Sequence, residues 1–89
     1  MDHEARLMGF IDQFLAGTLG FPAFQLAYSA HYIDELPDGA LSAAREEAFG
    51  EVHEAADWIT ADPSPEERGY GWRNPAEFRL WLTVRRRTL

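Results

Sequence analysis

The residues best placed to do chemistry are carboxylates. Glu47, Glu51 and Glu54 are spaced four and three apart, so a shared helix puts them on one stripe, with Glu46 and Asp57 flanking it. Like charges at that spacing cost a helix a few tenths of a kcal/mol per pair. A basic surface outside the helix would offset that cost. The 15 Asp and Glu stand against 8 Arg and no Lys, a net charge of −7. That charge is uneven, at −2 over residues 1–33, −10 over residues 34–67 and +5 over residues 68–89. The alternative is a solvated acidic face that the arginine-rich C-terminal segment neutralises from within the chain.

Other chemistries find little support. His3, His31 and His53 fall in no metal-binding or catalytic spacing; His31 and Asp34, at i and i+3, could touch on one face, whereas His53 and Glu54 are adjacent and point apart. There is no glycine-rich phosphate loop, no zinc-binding pair of histidines around a glutamate and no nucleophile motif. Cysteine is absent, which removes disulfides and thiolates and agrees with a reducing compartment. Paired carboxylates do acid–base work only where they converge in an apolar pocket, and 89 residues leave little interior for one. No enzymatic activity, cofactor, metal or small-molecule substrate is therefore expected. Net negative charge disfavours direct contact with nucleic acid. The longest apolar run is far below the roughly 20 residues of a membrane helix, and Met1-Asp2-His3-Glu4 has no basic signal-peptide start. A cytoplasmic acidic domain spanning residues 1–89 is the expectation.

The elements that must position the carboxylates follow from period and punctuation. Leu7, Phe10, Ile11, Phe14 and Leu15 recur at spacings of three and four, predicting a helix over 2–16 that Gly17 closes. Gly20 and Pro22 start a second, with Phe21, Phe24, Leu26, Ala27, Tyr28, Tyr32 and Ile33 more apolar than a solvent-facing helix needs; Pro37-Asp38-Gly39 ends it. A third helix is predicted over 40–61, with Leu41, Ala44, Ala48, Val52, Ala55, Ala56 and Ile59 on its apolar side. Residues 62–73 read as an ordered loop. Asn74, Pro75 and Glu77 announce the fourth helix by a capping box, and Phe78, Trp81, Leu82 and Val84 give it a buried face. Arg85-Arg86-Arg87 then complement the helix dipole. The fold expected is all-α, a compact antiparallel four-helix bundle.

Two further residues bear on binding. By helical angle Trp58 falls among the carboxylates, where it would be a candidate anchor unless the 62–73 loop folds over it. Gly50, on the acidic side in mid-helix, costs up to about 1 kcal/mol relative to Ala. Close approach of a partner, or tight packing of a neighbouring loop, would account for it.

The order of several short pieces resembles the colicin D immunity protein family, small helical inhibitors of a tRNA-cleaving toxin. The pieces are Phe14-Leu15-Ala16-Gly17-Thr18-Leu19, Phe24 and Tyr28, Ala55-Ala56-Asp57-Trp58, Asp62-Pro63, Glu66-Glu67-Arg68, Tyr70 and Glu77-Phe78-Arg79. The resemblance implies a four-helix bundle whose acidic surface occupies the basic cleft of a cognate nuclease toxin domain, one to one. Matched position by position, it implies toxin contacts at Asp57, after the Ala-Ala pair, and at Asp62, in the following turn. Glu54, Glu66 and Glu67 are placed beside them by charge and less firmly by the pattern, Glu47 and Glu51 join by the charge stripe, and Trp58 is a candidate anchor. At the fourth start the family often has an acidic residue where this chain has Asn74 and Pro75. The alternative function is an acidic adaptor that binds a basic protein without protecting against any nuclease.

Overall fold

A computed structural model describes residues 2–89. The chain is all-α: α1 (His3–Ala16), α2 (Phe21–Ala30) continued by a π turn (His31–Glu35), α3 (Ala43–Asp57), a short α4 (Pro65–Gly69) and α5 (Pro75–Arg86). Local chemistry sets the ends. Asp2 caps α1 by accepting from the Ala5 amide, and Gly17, at φ +82°, returns its amide to the carbonyls of Gln13 and Phe14. The expected capping box at α5 is formed, with the Glu77 amide 2.7 Å from Asn74 Oδ1 and the Asn74 amide 3.1 Å from Glu77 Oε1.

Helix α1 packs on α2 and α5, and α3 packs on the same two. Their inward faces share one cluster: Leu7, Ile11 and Phe14 from α1, Phe24 and Tyr28 from α2, Phe49, Val52, Ala55 and Ala56 from α3, and Phe78 and Leu82 from α5. Phe14, Phe24 and Phe78 meet at centroid distances of 4.9, 5.7 and 5.9 Å, so three helices join at a single aromatic contact. Each such ring contributes about 1.5–3 kcal/mol by burial. The polar groups near this core are paired: Tyr28 donates to the Phe49 carbonyl at 2.8 Å, and Gln25 to the Ala56 carbonyl at 2.8 Å.

Several elements differ from expectation. Helix α3 covers 43–57, not 40–61. Ser42 caps its start, and at its end the backbone pairs sideways, Arg73 N to Trp58 O at 3.1 Å and Thr60 N to Arg73 O at 3.0 Å, in place of the next helical bonds. The segment 62–73 is not all loop, because Ser64 and Glu67 form a second capping box that nucleates α4. Val84 is exposed, since six residues beyond Phe78 the helix has turned about 240°. Ala44 is exposed as well, and Phe49, three residues before Val52 and seven before Ala56, supplies the inward face in its place. Leu26 and Ile33 point outward.

Candidate functional site

Helix α3 presents Glu47, Glu51 and Glu54 as one exposed ridge, as their spacing requires. On one side of the ridge an open groove of about 580 Å³ runs past Tyr32, Ala43, Glu46 and Gly50. On the other, a groove of about 310 Å³ lies between α3, the segment after α4, and α5, walled by Trp58, Tyr70, Arg73, Trp81 and Arg85. Glu51 and Glu54 belong to both.

Gly50 answers to packing inside the chain. A Cβ there would sit 2.9 Å from the Tyr32 hydroxyl. The Tyr32 ring stacks on His53 at 5.0 Å and on Tyr28 at 6.3 Å, so it has little room to give. Partial burial, with Glu46 nearby, pushes the Tyr32 hydroxyl above its ordinary pKa.

Trp58 does not share the helical stripe. It is the residue after α3, with φ −106° and ψ 54°, and its ring tilts against Trp72 at 5.2 Å. The 62–73 segment therefore covers part of it, yet 41% remains exposed beside the carboxylates. Tyr70, 71% exposed, faces the same groove.

The remaining predicted positions separate. Asp57 ends α3, exposed, 3.8 Å from His53 Nε2. Asp62, before α4, and Glu66, in its first turn, are exposed, and neither lines either groove. Glu67 is half-buried and occupied in capping α4. The structure thus sets Glu47, Glu51 and Glu54 on one ridge, places Trp58 in the same groove as Glu51 and Glu54, and leaves Asp57, Asp62, Glu66 and Glu67 outside the two grooves.

The arginines decide how much of this charge is neutralised internally. Arg85 reaches Glu51 at 3.0 Å while lying over the Trp81 ring, and Arg73 lies over the same ring. Arg86 pairs with Asp12 at 2.7 Å. Arg68 bonds both carboxylate oxygens of Glu77, at 3.1 and 3.2 Å, which holds the Glu77 pKa below its ordinary value. Arg79 donates to the carbonyls of Phe14 and Leu15 at 2.7 and 3.0 Å and stacks on the Phe14 ring. Arg45, on α3 itself, turns to Glu4. Among the described residues, Glu46, Glu47 and Glu54 have no ion-pair partner.

Sequence reasoning missed Tyr70, Arg73, Trp81 and Arg85 as groove walls, because they lie on a different segment from the stripe. It also missed a histidine contact. His31 is buried, its Nδ1 is 2.8 Å from Glu35 and its Nε2 is 3.2 Å from His3 Nδ1, 28 positions away. The partner at i+4 was a readable signal and the long-range one was not. No group of three or more His, Asp or Glu among the described residues is arranged to hold a metal ion. No helix among them is long and apolar enough to cross a membrane. Comparison with protein-family models, curated proteins and solved structures finds no match for this chain.

Proposed function

We propose that this chain is a cytoplasmic immunity protein, which neutralises a cognate nuclease toxin domain of the tRNA-cleaving type by laying its acidic face over the toxin's basic substrate cleft. The observation that carries the reading is the unspent charge of α3: six arginines follow residue 67, yet Glu46, Glu47 and Glu54 have no basic partner among the described residues. An exposed carboxylate ridge beside two exposed aromatics, Trp58 and Tyr70, suits a protein partner. Charge speeds and orients encounter, and aromatic anchors supply the close contact. In this reading α1, α2, α3 and α5 are the members of an antiparallel four-helix bundle. Helix α4 is an addition that shapes the groove.

The mixed groove favours a second reading. Arg73 and Arg85 stand opposite Glu51 and Glu54, and a partner bearing both signs of charge would suit an adaptor as well as an inhibitor. One experiment separates them. The protein is titrated into tRNA-cleaving toxin domains of the colicin D type, scoring tRNA cleavage at low and moderate salt. Stoichiometric loss of cleavage, with association slowed by salt, is the expected result. Charge reversal at Glu47 and Glu54 should weaken inhibition at least tenfold, a loss of about 1.4 kcal/mol. Reversal at Asp57 and Asp62 tests the positions given by resemblance. Tight binding with cleavage intact would favour the adaptor.

A further inference from the structure

Helix α2 is exposed where it should be polar. Every exposed residue of Phe21–Ile33 is apolar: Pro22, Ala23, Leu26, Ala30 and Ile33. Leu26 is 75% and Ile33 64% accessible. No Asp, Glu, Lys or Arg occurs between Asp12 and Asp34, in a chain of net charge −7. Ala23, Leu26, Ala30 and Ile33 follow the three-four-three spacing of a helix-pairing seam, and a contiguous apolar seam marks an interaction surface.

We infer that a second copy of this chain covers the outer face of α2, forming an antiparallel two-fold dimer. The order of side-chain sizes on the seam is self-complementary. About an axis at the level of residue 28, position 26 faces position 30 and position 23 faces position 33. Leu26 of each copy therefore meets Ala30 of the other, and Ile33 meets Ala23, large against small at each level. The π turn carries Ile33 toward the margin of the seam, where the longer side chain still spans to Ala23.

Charge supports the same occupant. The N-terminus of α2 has no side-chain cap, because its N-cap is Gly20, and its first turn carries no acid. The same axis brings Asp34 of one copy level with Pro22 of the other. Each copy's carboxylate thus approaches the positive end of its neighbour's helix. A lipid surface would receive no basic residue from this face, and a basic protein would find its complement on α3. Five such side chains per copy bury on the order of 1,000 Å² in total, at the low end for a specific interface, so the dimer is weak and concentration-dependent.

Sedimentation equilibrium of the full chain from about 1 µM to about 1 mM tests this. The weight-average mass should rise from 10.1 kDa toward twice that value. Added salt should tighten the dimer by screening the charge of −7 on each copy, opposite to its effect on binding through the acidic face. Leu26→Asp should raise the dissociation constant at least about tenfold with helicity unchanged. Leu26→Ala should weaken the dimer and the Leu26→Ala/Ala30→Leu swap should restore it, because those positions face each other only in this register. A mass that stays at 10.1 kDa overturns the proposal. So does a dimer that Leu26→Asp leaves intact or the swap does not restore. Cosedimentation of a monomer with phosphatidylcholine vesicles, lost in Leu26→Asp, would also overturn it in favour of a lipid surface.

Discussion

Helices α3 and α5 carry opposite charge and use it differently. Four arginines lie on α5 or just past its end with only Glu77 against them, and three of these four are engaged: Arg79 on the α1 carbonyls, Arg85 on Glu51 and Trp81, Arg86 on Asp12. Helix α3 has five acids and one arginine, and three of the acids find no partner among the described residues. Charge counted along a sequence therefore differs from charge available to a partner. The positive helix spends its charge holding the fold together, and the negative helix presents its own.

The comparison breaks most visibly at Arg79. If α5 charge is structural, Arg79→Ala should destabilise the fold by about 2 kcal/mol, since it leaves two carbonyls at the end of α1 without a charged donor. Arg79→Lys should recover only part of this, because an ammonium can replace Nη1 at the two carbonyls but has no guanidinium plane to stack on Phe14. Urea denaturation gives both numbers. An unchanged midpoint in Arg79→Ala would return α5 to the status of a solvated face.

The next effect, about 1 kcal/mol, lies where α3 meets the end of α2. Gly50→Ala gains helix propensity of that size, but its methyl meets the Tyr32 hydroxyl. In the parent the substitution should therefore be neutral or destabilising. In a Tyr32→Ala background it should stabilise by about 1 kcal/mol, and the double-mutant cycle measures the coupling. If the substitution stabilises both backgrounds equally, Gly50 is free of packing and a partner's approach again explains it.

Much of the fold was legible because it is written locally. The period of Leu7, Ile11 and Phe14, the αL glycine at 17 and the box at Asn74 and Glu77 each depend on residues within a turn or two. The helical ridge of Glu47, Glu51 and Glu54 was legible for the same reason. What escaped depends on contacts between distant segments. Trp58 left the helix because Arg73, fifteen residues on, pairs with its backbone. The groove needed α5 to bring Trp81 and Arg85 beside α3. Glu67, counted as an interface acid by its charge, proved to be a cap; Ser64 three residues before it was the available signal.

A smaller effect concerns the one acid that α5 does contain. The bonds from Arg68 and the cap at Asn74 hold the Glu77 pKa below its ordinary value. A carboxylate lowered on folding adds stability above its unfolded pKa and loses it as pH falls through the folded one. The melting temperature of the parent should therefore fall on acidification below about pH 4.3, whereas Glu77→Gln should start lower at pH 7, show a flatter acid limb and converge with the parent at low pH. An acid limb of equal slope in both would assign the fall to other carboxylates.

The smallest effect tests the other helix of the pair. If the α3 acids are unspent, Glu47→Gln and Glu54→Gln remove repulsion and no attraction, so each should stabilise the free protein by a few tenths of a kcal/mol. The gain should fade in high salt, where exposed like charges are screened within a few ångströms. Glu51→Gln should behave in the opposite sense, because it releases Arg85 from a 3.0 Å pair beside Trp81. Melting temperatures at two salt concentrations suffice. A loss of stability in Glu54→Gln equal to that in Glu51→Gln would mean that α3 spends its charge on the fold just as α5 does.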